Sequence, residues 1–452
     1  MTVLFFDSAL LPAGWAENVR LAVADGGIAA VESGAAPQSG DERHAIAVPG
    51  LANVHSHAFQ RGMAGLAEVR GPESDNFWTW REVMYRFLDR LTPDQVETIA
   101  AQAYVEMLET GFTRVGEFHY LHHDPNGAPY ADIAELAARI AAAAQSTGIG
   151  LTLLPVFYAH GNFGGAPPTS GQRRFLNDVD RFAKLFEASA NIVARLPDAN
   201  IGIAPHSLRA VTEEELAQIL PLARGGPIHI HAAEQTREVD DSIAWSGRRP
   251  VEWLLDRARV DSHWCVVHAT HMTESETARL AKSGAVAGLC PVTEANLGDG
   301  VFPTPAYFKA GGRIGLGTDS NVAIDASAEL RMLEYAQRLF ARARNVLAEG
   351  EGRSTGRTVF DAAHRGGTQA LGQSAGGLAV GATADIVSLD FRHPAMLGRK
   401  GDFLLDSWLF AATRPPVDCV WRAGQKVVEG GRHRAGEGIA RRYRDVILSV
   451  LS

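Results

Sequence analysis

Residues 263–290, HWCVVHATHMTESETARLAKSGAVAGLC, decide the fold. WCVVHAT is a short run rich in β-branched and aliphatic residues, which reads as a strand. TESETARLAKSG has helical period, opens on a Thr that suits an N-cap and closes on a Gly that suits a C-cap. AVAGLCP returns to the strand texture. Strand, helix and strand in that order, with no tight turn between the strands, form the β/α unit of a parallel sheet.

The same alternation continues on both sides. Strands are read at AVPGLANVHSH (47–57), FTRVGEFH (112–119), GLTLLPVFY (150–158), NIGIAPHS (200–207), PIHIHAAE (227–234) and RIGLGTD (313–319), which with the two above makes eight. Helices are expected at 92–111, 132–148, 178–196 and 212–223, several of them opened by Thr or Asp. Eight such strands point to a (β/α)8 TIM barrel, assigned to residues 46–377. The flanks differ: TVLFFDSALL, VRLAVADGGIAAVES, ADIVSLDF and DCVWRAGQKVVEGG read as antiparallel strands. Residues 1–45 and 378–452 are therefore expected to meet in one small β-sandwich-like domain.

Composition narrows the function classes. The 452 residues carry a formal charge of −9, which excludes a nucleic-acid binder working through a bulk basic surface. Three cysteines, Cys265, Cys290 and Cys419, lie far apart with no CxxC spacing, as buried reduced thiols of a cytoplasmic protein do. The amino-terminal segment lacks a basic leader, and the longest charge-free stretch, 140–172, is broken by Gly, Pro, Asn and His. Neither secretion nor membrane insertion is expected.

In a barrel of this kind the carboxyl ends of the strands build the active face. His55 and His57 end strand one, and a spacing of two on a strand sends both side chains to one face. His231 ends strand five, His268 strand six and Asp319 strand eight. Imidazoles and a carboxylate suit a borderline divalent metal such as zinc.

This pattern, HxH on strand one, His on five and six, Asp on eight, resembles the amidohydrolase superfamily, and the resemblance spans almost the whole chain. Two-metal members commonly place a carboxylated lysine on strand four. Here strand four ends in APHSLR, and between His57 and His231 the one lysine is Lys184, in a helical segment. The resemblance thus implies one zinc per subunit on His55, His57, His231 and Asp319, with His268 left for catalysis. Glu234, three beyond His231, matches the HxxE of the deaminating branch, where a carboxyl shuttles the proton between water and the departing nitrogen. CPVTEANLGDGVFPTP resembles the loop after strand seven in that branch, although VTEAN departs from the usual serine-asparagine pairing.

HSHAFQRGMAGLAE, GEFHYLHHDPNG, APHSLRAV and HIHAAEQTREVD look like the formimidoylglutamate deiminases. That resemblance implies a small-molecule substrate, N-formimino-L-glutamate, hydrolysed to N-formyl-L-glutamate and ammonia in histidine degradation, and a cytoplasmic homodimer. A substrate with two carboxylates needs arginine and hydroxyl donors at one end and an acid at the other. By resemblance Arg209 and His206 hold one carboxylate, and Arg81, Tyr120 and Gln60 the other. Glu234, His268 and Asp319 are the expected catalytic groups. His119, His122, His123 and His160 fall near the same face without an assigned role. The alternative is a mononuclear zinc deaminase of a purine, pterin or other heterocycle, for which Phe59, Phe77, Trp78 and Trp80 would offer stacking surfaces.

Overall fold

The computed structural model describes residues 2–71, 75–373 and 376–452. Barrel strands one to three are Leu51–Ser56, Phe112–His119 and Gly150–Phe157, and every residue in them is buried. Burial on both faces is what an all-parallel sheet wrapped by helices imposes, and it explains near-continuous apolar runs. Strands five to eight follow at Ile228–Ala232, Trp264–His268, Val286–Leu289 and Arg313–Leu316. All pairings between neighbours are parallel, and strand eight returns to strand one through Leu316 opposite Asn53.

Strand four is split into Asn200–Ile201 and Ala204–Pro205. Gly202 lies at the break, where a Cβ would stand 2.3 Å from the Pro227 carbonyl oxygen. A glycine therefore lets strands four and five approach, and the bridges Ile203 to Ile228 and Ser207 to His231 close the barrel there.

The helices begin where their caps predict. Thr92, Asp178, Thr212 and Thr273 each accept a backbone N–H from the residue three positions on. Gly148 and Gly284 end their helices in the left-handed conformation, with φ of 79° and 82°.

The two ends of the chain share one eight-stranded sheet. Thr2–Leu11 lies between Gly14–Ala24 and Glu42–Pro49, and Ile386–Leu389 pairs with Glu42–Pro49 and carries the sheet on to Val417–Arg422. Phe6, Leu21, Ile386 and Trp421 belong to a core separate from that of the barrel. VRLAVADGGIAAVES is two strands, turning at Asp25 and Gly26 with φ of 49° and 80°. The tail closes with a helix that its strand-like reading did not anticipate, Gly436–Leu451, packed on the barrel helix Pro93–Glu109.

Candidate active site

Four donor atoms converge at the carboxyl end of the barrel. Nε2 of His55 lies 3.2 Å from Nε2 of His57 and 3.0 Å from Nε2 of His231. Asp319 Oδ1 stands 3.2 Å from His57 Nε2 and 3.5 Å from His55 Nε2. Ligands bonded at ~2.0–2.1 Å to a tetrahedral zinc are about 3.4 Å apart, so the cluster has the spacing of a coordination shell. Tautomers agree with that use. His57 Nδ1–H donates to the Phe118 carbonyl at 3.0 Å and His231 Nδ1–H to the His206 carbonyl at 2.9 Å, which leaves both Nε2 lone pairs facing inward. Burial pushes His55 down to about 3, so it too is a neutral donor. Burial opposes the charge on Asp319, yet the close polar contact of His55 and His57 holds its carboxyl well below the ordinary range.

The backbone pays for this convergence. Ala233, His268, Ala269 and Asp319 have φ of 52°, 67°, 49° and 44°, a left-handed conformation costly for non-glycine residues. All four lie at the exits of strands five, six and eight, where the chain turns sharply to leave side chains over the barrel mouth.

His268 and Glu234 flank the cluster. Nε2 of His268 is 3.8 Å from both Glu234 Oε1 and Asp319 Oδ2, and Nδ1 is 3.2 Å from Glu294 Oε1. Burial alone would discharge His268, but Glu234, Glu294 and Asp319 push it up to about 10. Burial raises Glu234 to about 7, with His268 and Arg209 pulling the other way. A carboxyl poised near neutrality beside a cluster of metal-ligand type is equipped to take and give a proton.

The wall of the cavity above carries the other expected residues. Gln60, Arg81, Tyr120, His206 and Arg209 line it together with His57, His231, Glu234, His268 and Asp319. Gln60 donates to the Tyr120 hydroxyl at 2.8 Å. Arg81 sits over the Trp78 ring at 4.5 Å, with Arg209 at 5.5 Å from the same ring. The nearest carboxylate contact of Arg209 is Glu234 at 3.9 Å, too long for a hydrogen bond, and Nε of both arginines is buried without a partner. Two guanidiniums are thus held at the cavity with their donors unspent.

Some lining residues escaped the sequence reading. Tyr158 donates no clue by motif, but it ends GLTLLPVFY at the active face; its hydroxyl is bonded by Gln172 at 2.7 Å and its ring lies 4.5 Å from that of His206. Tyr85 and Phe175 complete that wall. Glu294, within CPVTEANLGDGVFPTP, carries no motif signal of its own, yet it lies 3.2 Å from His268. His122 and His123 bond the carbonyls of Val156 and Leu176, and His160 meets Glu215, so all three serve loop packing. His119 is buried with neither ring nitrogen bonded. Lys184 is exposed on the helix Val179–Val193, and His206 follows barrel strand four directly.

Residues 46–427 match the model of the amidohydrolase family, and residues 1–45 match that of the formimidoylglutamate deiminase HutF N-terminal domain. Formimidoylglutamate deiminase of Pseudomonas aeruginosa is 50% identical over 100% of both chains. A crystal structure of an amidohydrolase from Brucella melitensis superposes with a TM-score of 0.97 at 55% identity, covering 100% of each chain. An adenosine deaminase from Xanthomonas campestris with bound zinc has a TM-score of 0.80 at 23% identity, covering 99% of this chain and 98% of that one, a likeness of fold alone.

Proposed function

This chain belongs to the amidohydrolase family, and on that premise we propose that it is a formimidoylglutamate deiminase, hydrolysing N-formimino-L-glutamate to N-formyl-L-glutamate and ammonia. The full-length relative of that name and the matching amino-terminal model support the assignment. The observation that carries it is the pair Arg81 and Arg209, which line the cavity together with Glu234 and leave Nε of each without a partner. A dicarboxylate bearing a cationic formimino group has the complementary charges.

The donor set of His55, His57, His231 and Asp319 fits one zinc per subunit. A divalent ion held there lowers the pKa of a water toward neutrality. Arg209 and His206 grip one substrate carboxylate, and Arg81, Tyr120 and Gln60 the other, which puts the formimino carbon near Glu234. Glu234 takes the proton released by the attacking water and delivers it to the terminal nitrogen. Asp319 accepts a hydrogen bond from the attacking oxygen, and His268 Nε2–H donates to it as carbon becomes tetrahedral. A second proton passes through Glu234, the C–N bond breaks, ammonia leaves and the formyl amide remains. The same reading includes a cytoplasmic homodimer and a two-domain chain whose small β-domain is drawn from both ends. Among the described residues no helix is long and apolar enough to cross a membrane.

Ammonia release from N-formimino-L-glutamate and from N-formimino-glycine, which lacks the second carboxylate, tests the carboxylate grips. A kcat/KM at least about thirtyfold lower for the glycine compound is expected from the loss of about 2 kcal/mol of charge-assisted bonding. Equal values would contradict the proposal.

A further inference from the structure

The feature that the proposed reaction leaves unused is Glu294, at the point where VTEAN departs from the pairing usual in related deaminases. It lies in the short helix Pro291–Leu297 that follows barrel strand seven, and it is buried. Its Oε1 accepts two hydrogen bonds, from the Cys290 amide at 2.9 Å and from His268 Nδ1–H at 3.2 Å. Its backbone is fixed as well: the Glu294 amide donates to the Cys290 carbonyl at 2.8 Å, and the Asp299 amide donates to the Glu294 carbonyl at 2.9 Å. The carboxylate is thereby anchored to the rigid end of strand seven.

His268 needs such an anchor. It sits at a left-handed φ of 67°, and its ring lies nearly parallel to that of His231, 5.5 Å away and inclined by 14°. That contact is compatible with either face of the ring, and a half-turn about χ2 would exchange Nδ1 for carbon. Nε2 would then leave the space it shares with Glu234 and Asp319, each 3.8 Å away. The flip would also strip a buried carboxylate oxygen of one of its donors, which is unfavourable. Among the described residues Glu294 is the carboxylate within hydrogen-bond distance of Nδ1, so the choice of ring face rests on it.

We propose that Glu294 is a positioning residue: it holds Nδ1 of His268 so that Nε2 faces the reacting atoms between Glu234 and Asp319. The inference rests on the role given to His268 above.

The test is a double-mutant cycle on the zinc-replete enzyme with N-formimino-L-glutamate, using Glu294→Ala, Glu294→Asp and His268→Asn alone and combined. Glu294→Asp keeps the charge but draws it back by one methylene, and it serves if the alanine variant does not fold. Glu294→Ala is expected to lower kcat by about ten- to a hundredfold, as loss of a group orienting an active-site imidazole does. KM and zinc content stay unchanged. In the His268→Asn background either Glu294 substitution changes kcat by less than about threefold, because the group it orients is gone. Additive losses in the double variants, or a rise in KM matching the fall in kcat/KM, would overturn the proposal while leaving the role of His268 intact. A His268→Asn enzyme with normal kcat would overturn both.

Discussion

In the proposed reaction Glu234 carries the proton traffic, and its surroundings suit it to that role. It lacks a hydrogen-bonded cation: Arg209 is 3.9 Å away and His268 3.8 Å, so neither locks it as a carboxylate. Burial raises it to about 7, which lets one group act as base and then as acid. Glu234→Gln preserves shape and hydrogen bonding but cannot carry a proton; kcat should fall about a hundred- to ten-thousandfold with zinc content and substrate affinity retained. Steady-state kinetics with metal analysis decide this, and near-normal turnover would remove the shuttle. Arg81→Met tests recognition separately from chemistry. Losing one charge-assisted grip should cost about 2 kcal/mol or more, a fall in kcat/KM of at least about thirtyfold carried mainly by KM.

Barrel elements are positioned by close backbone approach as much as by apolar burial. Gly366, in the helix Thr355–Ala370, faces strand eight so closely that a Cβ would lie 1.8 Å from the Ile314 carbonyl oxygen. Gly366→Ala must push the helix off the strand that delivers Asp319, and a loss of about 3 kcal/mol in unfolding free energy, read as a lower urea midpoint, is expected; an unchanged midpoint would contradict that packing. Most elements were legible because strand ends and helix caps are local: His55, His231 and His268 stand where an apolar run stops, and Thr92 and Thr273 mark the first turns. What escaped depends on three-dimensional pairing. The closing helix Gly436–Leu451 is stabilised by the face of Pro93–Glu109, some 330 residues earlier, which nothing in its own strand-like surroundings announces. Glu294 reads as an ordinary helix glutamate until the fold brings His268 to 3.2 Å.

At the scale of the molecule, the abundance of histidine sets the response to acid. His119 and His229 are wholly buried, and burial pushes them down to about 3 and about 4. Unfolded, each titrates near 6.5, so below that pH the unfolded chain takes protons that the fold refuses. Their stabilising contribution is complete above pH 6.5 and is lost as pH falls toward the folded values, by about 2 kcal/mol each at pH 5. Urea midpoints at pH 7.5 and 5.0 should drop accordingly, and His229→Gln should flatten the drop; an unchanged slope would refute the assignment. The net charge of −9 bears on substrate capture, since in the proposed reaction the two carboxylates approaching an acidic protein depend on the local field of Arg81 and Arg209. On this account those two arginines, more than the residues proposed to hold the metal, distinguish the substrate. The decisive measurement is ammonia release by the zinc-replete protein from N-formimino-L-glutamate set against guanine, adenosine and a pterin. Turnover of N-formimino-L-glutamate with none of the ring compounds hydrolysed is the expected result; turnover of a ring compound in its place would contradict the account.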